Sequence, residues 1–521
     1  MSDMASHLRS LAGRVARPPA AVALLLILGA ALRVPNLGES LWLDEVLYST
    51  REGLRVFGGL WRTVTSAQHG AGYPALLYAW TAVVPETEVW LRLPSLAFGV
   101  GSIVLTYAIA RRYGSREAAL LAALFLCLSP VHVWYSQEAT PYAAALCLLL
   151  AAVHLQPRIT ASAAGLAWLL LYVIVLAAAV LCHAYAAVLL LPLTLAAVRM
   201  PRRAAALVAG ANLLAGLVLI ATLAIKYQGG RLTLDPGFTR PFTPGEWWTF
   251  FFGYLLQGHT LWSARVFRAG SPDHAFAPLA LAVQIAAAAV LARGLLAKPR
   301  EGEAPRWQLA AYLLTLPLVL LAATFIAGGR LYLERYLFIV LPFFAIALAR
   351  GALAGARPRV RAAVGGAILV LAAASYGMLL HKDTVWTVYK PNPDWRSTAR
   401  HLREAGGPPG RMVLVGTIPL NDLTYYLRRE MGAQRPAVRL HRSRRLNRLL
   451  ANRRIDRVVL VHNRFWVHGF DRALVALQRD PRLRYSGVAS FKGVDLHTFE
   501  RRLPKGHGPA DGAARASGEL R

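Results

Sequence analysis

Residues 20–45 read AAVALLLILGAALRVPNLGESLWLDE: an apolar run broken by Arg33-Val34-Pro35, then a short polar stretch, then Trp42-Leu43-Asp44-Glu45. The run Ala20–Val34 follows a basic start with Arg9, Arg14 and Arg17. A cleaved signal peptide would look similar at its beginning, but no small-residue cleavage site closes the run. The simpler expectation is an uncleaved first membrane helix with two carboxylates placed just beyond its end. An acidic pair at a membrane edge is costly unless solvated or paired. Neighbours on a helix point about 100° apart, so Asp44 and Glu45 need not serve one site. One can act as a base while the other orients the helix or holds a metal.

The same alternation of apolar block and charged edge repeats along the 521 residues. Hydrophobic residues make up 56% of the chain and charged residues 16%, against about 25% charged in a typical soluble protein. Blocks of roughly 15–22 apolar residues are long enough to cross a hydrocarbon core of about 30 Å as helices. Eleven spans are expected: Ala20–Val34, Leu91–Ala110, Ala118–Val133, Tyr142–Leu155, Ala161–Leu181, Tyr185–Val198, Ala204–Ile225, Ala275–Ala292, Trp307–Ala327, Tyr336–Ala349 and Ala362–Leu380. Cations gather in alternate loops, at Arg111, Arg112 and Arg116, at Arg158, at Arg199, Arg202 and Arg203, at Lys298, Arg300 and Arg306, and at Arg357, Arg359 and Arg361. The bias of basic residues to cytoplasmic loops then puts the N-terminus inside and everything after the eleventh span outside.

The expected organisation is a transmembrane domain over 1–380 with external loops 35–90 and 226–274, an extracytoplasmic α/β domain over 381–503, and a disordered tail over 504–521. In the first loop Tyr73–Val84 is too short for a span and fits a helix lying in the interface. In the second, Trp247-Trp248-Thr249-Phe250-Phe251-Phe252 suits the headgroup level. In the C-terminal domain Met412–Val415 and Arg457–Val461 read as strands, Ser443–Asn452 and Arg472–Gln478 as helices, and Tyr485–Phe491 with Val494–Phe499 as a hairpin turning at Lys492-Gly493. From Thr384 onward there are 27 Lys or Arg against 11 Asp or Glu, within a net charge of +31. That surplus points to anionic lipid, phosphate or glycan. No nucleic-acid recognition module accompanies it. Cys127, Cys147 and Cys182 lie inside apolar blocks and read as small buried hydrophobes.

Chemistry-bearing residues converge on the expected outer face. Glu138 is the acid of Tyr135-Ser136-Gln137-Glu138-Ala139-Thr140-Pro141-Tyr142, between the third and fourth spans; a helix N-terminal charge is its plainer role. Gln68-His69-Gly70-Ala71-Gly72-Tyr73-Pro74 brings a His and a Tyr from the first loop. Arg330-Leu331-Tyr332-Leu333-Glu334-Arg335-Tyr336 leads into the tenth span. The planar fork of Arg suits phosphate, though snorkelling to the interface is an ordinary alternative. His259 stands in the aromatic loop. Acids and phosphate-binding cations on one side are what a transfer with a phosphate leaving group requires.

The order of these motifs, together with Leu91-Arg92-Leu93-Pro94-Ser95, resembles the C-type-fold integral membrane glycosyltransferases. The likeness is to the family 39-like group of protein O-mannosyltransferases and aminoarabinose transferases. It is strongest over Ala20–Leu155 and continues through Glu334-Arg335-Tyr336-Leu337 and Asp394-Trp395-Arg396. The resemblance implies an α-helical polytopic enzyme of the bacterial plasma membrane that takes a sugar from a polyprenyl-phosphate-linked donor. The acceptor is a lipid, glycan or protein hydroxyl, attacked with inversion. Asp44 then matches the catalytic base, with Glu45 and Glu138 as neighbouring acids. Arg330, Arg335 and Tyr332 become candidates for the donor phosphate, and His69, Tyr73, Gln137 and Tyr142 for substrate. A divalent metal is an optional cofactor, with Glu45 and His259 as candidate ligands. Relatives often have Arg after the Glu-Ala of the second motif, where this chain has Thr140-Pro141, so phosphate binding falls to Arg330 or Arg335. Rival readings are a transporter or flippase of lipid-linked glycans, an O-antigen ligase or polymerase, and a membrane-anchored binding protein for an anionic polymer. Charges at the block edges, not inside the blocks, speak against transport.

Overall fold

The computed structural model describes residues 18–502, apart from 52, 54–58, 60–69, 161, 229–243, 259–273, 328–333, 356, 381–391, 406–410, 417–419, 432–436, 440–449, 453 and 465–468. The expectations for His69, His259, Arg330 and Tyr332, and for the tail over 504–521, lie outside the described residues. The chain forms two units, Met1–Glu39 with Asp44–Lys390, and Ser40–Leu43 with Pro391–Arg521.

The first unit is helical. Its main elements are α1 (Pro18–Ala31), α2 (Leu43–Ser49), α3 (Gly72–Trp80), α4 (Glu88–Ala110), α5 (Arg116–Leu128), α6 (Pro130–Ser136), α7 (Tyr142–Leu155) and α8 (Ala163–Cys182). After a 3₁₀ turn at Ala184–Leu189 come α9 (Leu190–Ala197), α10 (Arg202–Gln228), α11 (Ala277–Leu296), α12 (Arg306–Ala327), α13 (Leu341–Leu353) and α14 (Pro358–Leu380). Local chemistry sets several boundaries. Thr87, Ser115 and Ser162 each cap a helix by accepting a backbone N–H from the first turn. Between α5 and α6 the axis turns by 60°. Pro130 supplies no N–H there and forces Ser129 out of helical geometry.

Among the described residues seven helices are long and apolar enough to cross a membrane, or eight if the bent α5–α6 pair is one span. The remaining apolar helices, Ala20–Ala31, Tyr142–Arg158 and Ala184–Ala197, are shorter. Each of the eleven expected segments is therefore helical, and the count of full spans is smaller by length and composition. Side-chain exposure carries the membrane argument independently. Leu213, Leu217 and Ile220 on α10, Leu170 and Ile174 on α8, and Phe325 and Ile326 on α12 all stand exposed. A helix apolar on its outer side as well as its inner one needs lipid as solvent. By contrast α13 is buried along nearly its whole length at the centre of the unit. It meets α11 with almost no side chain between them: a Cβ on Gly294 would fall 1.9 Å from the Ala347 carbonyl oxygen, and one on Gly351 1.8 Å from that of Val290. Such reciprocal small-residue contact lets dispersion act between backbones where no hydrophobic effect is available.

The aromatic run Trp247–Phe252 packs into the protein. Thr249–Tyr254 forms a π-helical turn, and Phe250, Phe251 and Phe252 are buried in the main apolar cluster. Phe251 and Phe252 meet Phe344 of α13 edge-on, and the Trp248 indole N–H donates to Gln284 of α11. The wider helical turn points consecutive aromatics inward, which a linear reading of hydropathy does not reveal.

The second unit is a five-stranded mixed sheet with helices α15 (Trp395–Glu404), α16 (Asn421–Met431) and α17 (Phe470–Gln478). Its strands are β1 (Met412–Gly416), β2 (Ala437–Arg439), β3 (Arg457–Asn463), β4 (Leu483–Phe491) and β5 (Val494–Arg501), in the order β2-β1-β3-β5-β4. The first three are parallel, and β5 runs antiparallel to both β3 and β4. Interior strand β1 is buried throughout, while edge strand β4 is mostly exposed. The β4–β5 turn is made at Gly493, with φ +73°, a conformation open to glycine without steric cost. The stretch Ser40–Leu43 belongs to this unit. The Leu41 N–H donates to the Tyr426 hydroxyl at 2.7 Å, Asn392 donates to the Ser40 carbonyl at 2.9 Å, and the Arg396 N–H donates to the Ser40 hydroxyl at 3.3 Å.

Candidate active site

The two adjacent carboxylates have separate fates. Glu45 is completely buried and makes a two-pronged ion pair with Arg92 of α4: Nε to Oε1 at 2.8 Å and Nη2 to Oε2 at 2.7 Å. Arg92 also donates to the carbonyls of Leu37 and Glu39 at 2.7 and 2.6 Å. Glu45 Oε1 accepts the Ala139 N–H at 2.8 Å, and one helical turn on, Ser49 donates to the Ala139 carbonyl at 2.6 Å. One face of α2 thus grips both polar groups of a single peptide-bearing residue next to Glu138. The grip couples the two acidic motifs that the sequence places some 90 residues apart.

Three further contacts hold the same turn. Tyr73, almost fully buried, shares a hydrogen bond with the Ser95 hydroxyl, which donates to the Thr140 carbonyl at 3.3 Å. Gln137 donates to the carbonyls of Arg33 and Pro35. Upstream, the Gly70 N–H donates to the Cys182 carbonyl at 3.2 Å. A Cβ on Gly70 would lie 1.8 Å from the Leu181 carbonyl oxygen, so the Gly70–Gly72 stretch is glycine-rich to pass close to the end of α8.

These contacts revise several expectations. Tyr73 is hydrogen-bonded to Ser95 and the Gln137 side-chain NH2 to two backbone carbonyls, while Gln137 Oε1 is buried with no partner among the described residues. Glu45 is a positioning residue: both its oxygens face a guanidinium, and a cation there would have to displace Arg92. Of the candidate metal pair, Glu45 is ion-paired with Arg92, and His259 lies outside the described residues. Arg92 and Ser49 were not singled out as site residues. The signal for Arg92 was an ionisable residue entering an apolar block, where an unpaired charge is too costly to persist.

Asp44, on a different face of α2, is only partly buried. Among the described residues no donor hydrogen-bonds its carboxylate. Burial pushes its carboxyl up to about 6, Arg335 pulls it back down, and the charge of Glu45 adds to the rise. The electrostatic reach of Arg335 takes in Tyr142, Tyr336, Tyr135 and Asp44. Tyr142, at the start of α7, feels Arg335, Asp44 and Glu138 together. The structure therefore brings Asp44, Glu138, Tyr142 and Arg335 into one neighbourhood from three distant parts of the chain. Aromatic rings pave it. Tyr135 lies 4.5 Å from Tyr142, Tyr142 5.1 Å from His183, and Tyr185 4.2 Å from Tyr336, centroid to centroid. The Arg335 guanidinium sits 5.7 Å over the Tyr336 ring. His183 and Tyr185 come from the irregular link between α8 and α9, which carries no motif of its own.

Comparison with known proteins agrees with this architecture. The sequence profile of the dolichyl-phosphate-mannose-protein mannosyltransferase family matches residues 68–226. No curated protein sequence matches the chain. The crystal structure of ArnT from Cupriavidus metallidurans in the apo state superposes with a TM-score of 0.57 at 14% identity, covering 92% of this chain and 96% of that one. The same protein bound to undecaprenyl phosphate gives 0.53 at 14% identity, over 92% and 97%. The chain therefore has the fold of ArnT over nearly its whole length. Over residues 68–226 it is similar to the dolichyl-phosphate-mannose-protein mannosyltransferases, in keeping with the resemblance of its motif order.

Proposed function

We propose that the protein transfers a sugar from a polyprenyl-phosphate-linked donor to an acceptor hydroxyl at the outer face of a bacterial plasma membrane. Asp44 takes the acceptor proton as the hydroxyl oxygen attacks the anomeric carbon. The bond from that carbon to the phosphate oxygen breaks, and the phosphate leaves with its electron pair, its charge met by Arg335. A single displacement by one base inverts the anomeric centre. The observation that carries this reading is the division between the two adjacent acids. Glu45 is immobilised by Arg92, while Asp44 is left without a hydrogen-bond donor among the described residues, with a carboxyl near 6, beside a cation. A base with that affinity is ionised at neutral pH and still accepts a proton in the transition state. The lipid-linked donor is further supported by the undecaprenyl phosphate bound to the similar ArnT. A membrane-anchored glycosyl phosphate also meets the cation and the base at the depth where they stand. Tyr185 and Tyr336, both partly exposed, offer ring faces for the sugar.

The test is mass spectrometry of lipid-linked sugars and envelope glycans from cells carrying the wild-type or the Asp44→Asn chain. The expected result is accumulation of one polyprenyl-phosphate sugar and loss of one glycan modification in the variant. Identical profiles in the two strains, with the variant present in the membrane, would refute the proposal.

A further inference from the structure

His462 on β3 and Asp495 and His497 on β5 stand on one face of the C-terminal sheet, one ligand-capable atom from each lying within 4.8 Å of the others. We infer that these three side chains form a binding site for a divalent first-row transition ion such as Zn²⁺, bridging the two strands. The register produces the cluster. His462 is paired directly with Asp495 across the antiparallel ladder, and His497, two residues on, returns to the same face. Cross-strand partners of this kind hold their Cβ atoms about 4.5–5.5 Å apart, so the backbone itself sets the ligand spacing. His462 Nδ1 is 3.4 Å from Asp495 Oδ2. That matches the ~3.4 Å edge of a tetrahedron whose metal–ligand bonds are about 2.1 Å. The ligand atom of His497 lies within 4.8 Å of both, so a small rotation of its partly exposed ring brings it to the same ion.

The surroundings suit the assignment. The His462 ring stacks on Phe470 at 3.6 Å between centroids with planes 12° apart, which fixes its orientation. Its Nε2 is buried without a hydrogen-bond partner, so the directed contact of this ring is made through Nδ1. The Tyr485 hydroxyl lies 3.2 Å from His497 Nδ1, leaving Nε2 for the ion and supplying the outer hydrogen bond that metal-bound imidazoles habitually have. Two imidazoles and a carboxylate, mixing nitrogen and oxygen donors, favour Zn²⁺ and its neighbours over Ca²⁺ or Mg²⁺, which prefer all-oxygen shells. A fourth position stays open to water or to an anionic group. One feature opposes binding: Arg464 Nε is 3.5 Å from Asp495 Oδ2. Its side chain is 47% exposed and also donates to the Phe491 carbonyl, a bond that can hold it clear of Asp495 once the ion arrives. The plainer reading of the cluster is a cross-strand hydrogen bond that steadies β3 against β5, and it differs from the metal site in what it predicts.

The experiment uses the purified full-length chain in detergent, stripped with chelator and titrated with Co²⁺ and Zn²⁺, against His462→Ala, Asp495→Asn and His497→Gln. The expected result is visible absorption typical of low-coordinate Co²⁺ in the wild type, with about one equivalent more bound ion than in each variant. Zn²⁺ should also raise the unfolding temperature of the wild type and leave the variants unmoved. Should His462→Ala unfold through loss of the Phe470 stack, Asp495→Asn and His497→Gln, which keep that stack, carry the comparison. Equal ion stoichiometry in wild type and folded variants, or a wild type without the Co²⁺ absorption, would overturn the inference and leave the hydrogen-bond reading.

Discussion

Asp44 and Arg335 together specify a pH–rate profile. With the Asp44 carboxyl near 6, about a tenth of it is ionised at pH 5 and about nine-tenths at pH 7. A base works only when deprotonated, so kcat/KM should climb about tenfold over that interval and then level off. Burial raises this carboxyl and Arg335 lowers it. Arg335→Ala therefore moves the midpoint to higher pH, as well as lowering the plateau through loss of the leaving-group cation. Asp44→Asn abolishes the limb and lowers the rate by about 10²–10⁴, equivalent to roughly 3–5 kcal/mol of transition-state stabilisation. Asp44→Glu keeps an acid-side limb at reduced rate, because a carboxylate is present but displaced. The assay is initial-rate release of polyprenyl phosphate from the lipid-linked donor in detergent or proteoliposomes between pH 5 and 8. Two results would refute the reasoning: a flat wild-type profile across that range, or an Asp44→Asn enzyme within tenfold of wild type.

Other perturbations test the scaffold. Arg92→Ala should cost about 3–5 kcal/mol by leaving the Glu45 carboxylate buried without its partner; a thermal melt of the detergent-solubilised variant measures it, and Glu45→Gln on the same background should recover part of the loss. Gly70→Ala places a Cβ 1.8 Å from a backbone oxygen, so lower membrane-extracted yield and a lower unfolding temperature are expected, read by fluorescence-detected size exclusion. In the C-terminal unit burial raises the Asp422 carboxyl to about 7. The folded state binds that proton more tightly than the unfolded chain, whose value is near 4. Its stabilisation is complete below pH 4 and is lost as pH rises towards 7, a swing of up to about 4 kcal/mol. Asp422→Asn should therefore flatten the pH dependence of unfolding and gain most above pH 7. Tyr426→Phe removes the hydroxyl that accepts the Leu41 N–H and should cost about 1–3 kcal/mol if the amide is left unsatisfied, measurable as faster amide exchange at Leu41.

The helical character of the eleven apolar segments was legible because it depends on local composition. A block of Leu, Ala and Val flanked by Arg is apolar whatever surrounds it, and lipid demands that its backbone be satisfied within the segment. Strands β1, β3, β4 and β5 were likewise legible from alternation and turn residues, down to the glycine at the β4–β5 turn, whereas α15, α16 and β2 were not read and most of the expected helix Ser443–Asn452 lies outside the described residues. Residues such as Tyr73, Gln137 and Phe250–Phe252 were harder. Each has a polar or aromatic group with a reasonable solvent-facing role, and only packing shows that the group is committed elsewhere. Arg335 lies at the edge of its block, and the sequence put it on the same face as Asp44, some 290 residues away, without distinguishing it from Arg330.

By itself the sequence determined that this chain lives in a membrane, where its helices run, and that acids and cations gather at block edges. These follow from hydropathy and spacing, which sum over neighbours along the chain. Tertiary structure alone decided which of two consecutive carboxylates is held by an ion pair and which has no hydrogen-bond donor among the described residues. Asp44 and Glu45 are chemically alike and adjacent, and their difference arises because Arg92, from another helix, reaches one face of a short helix and not the other.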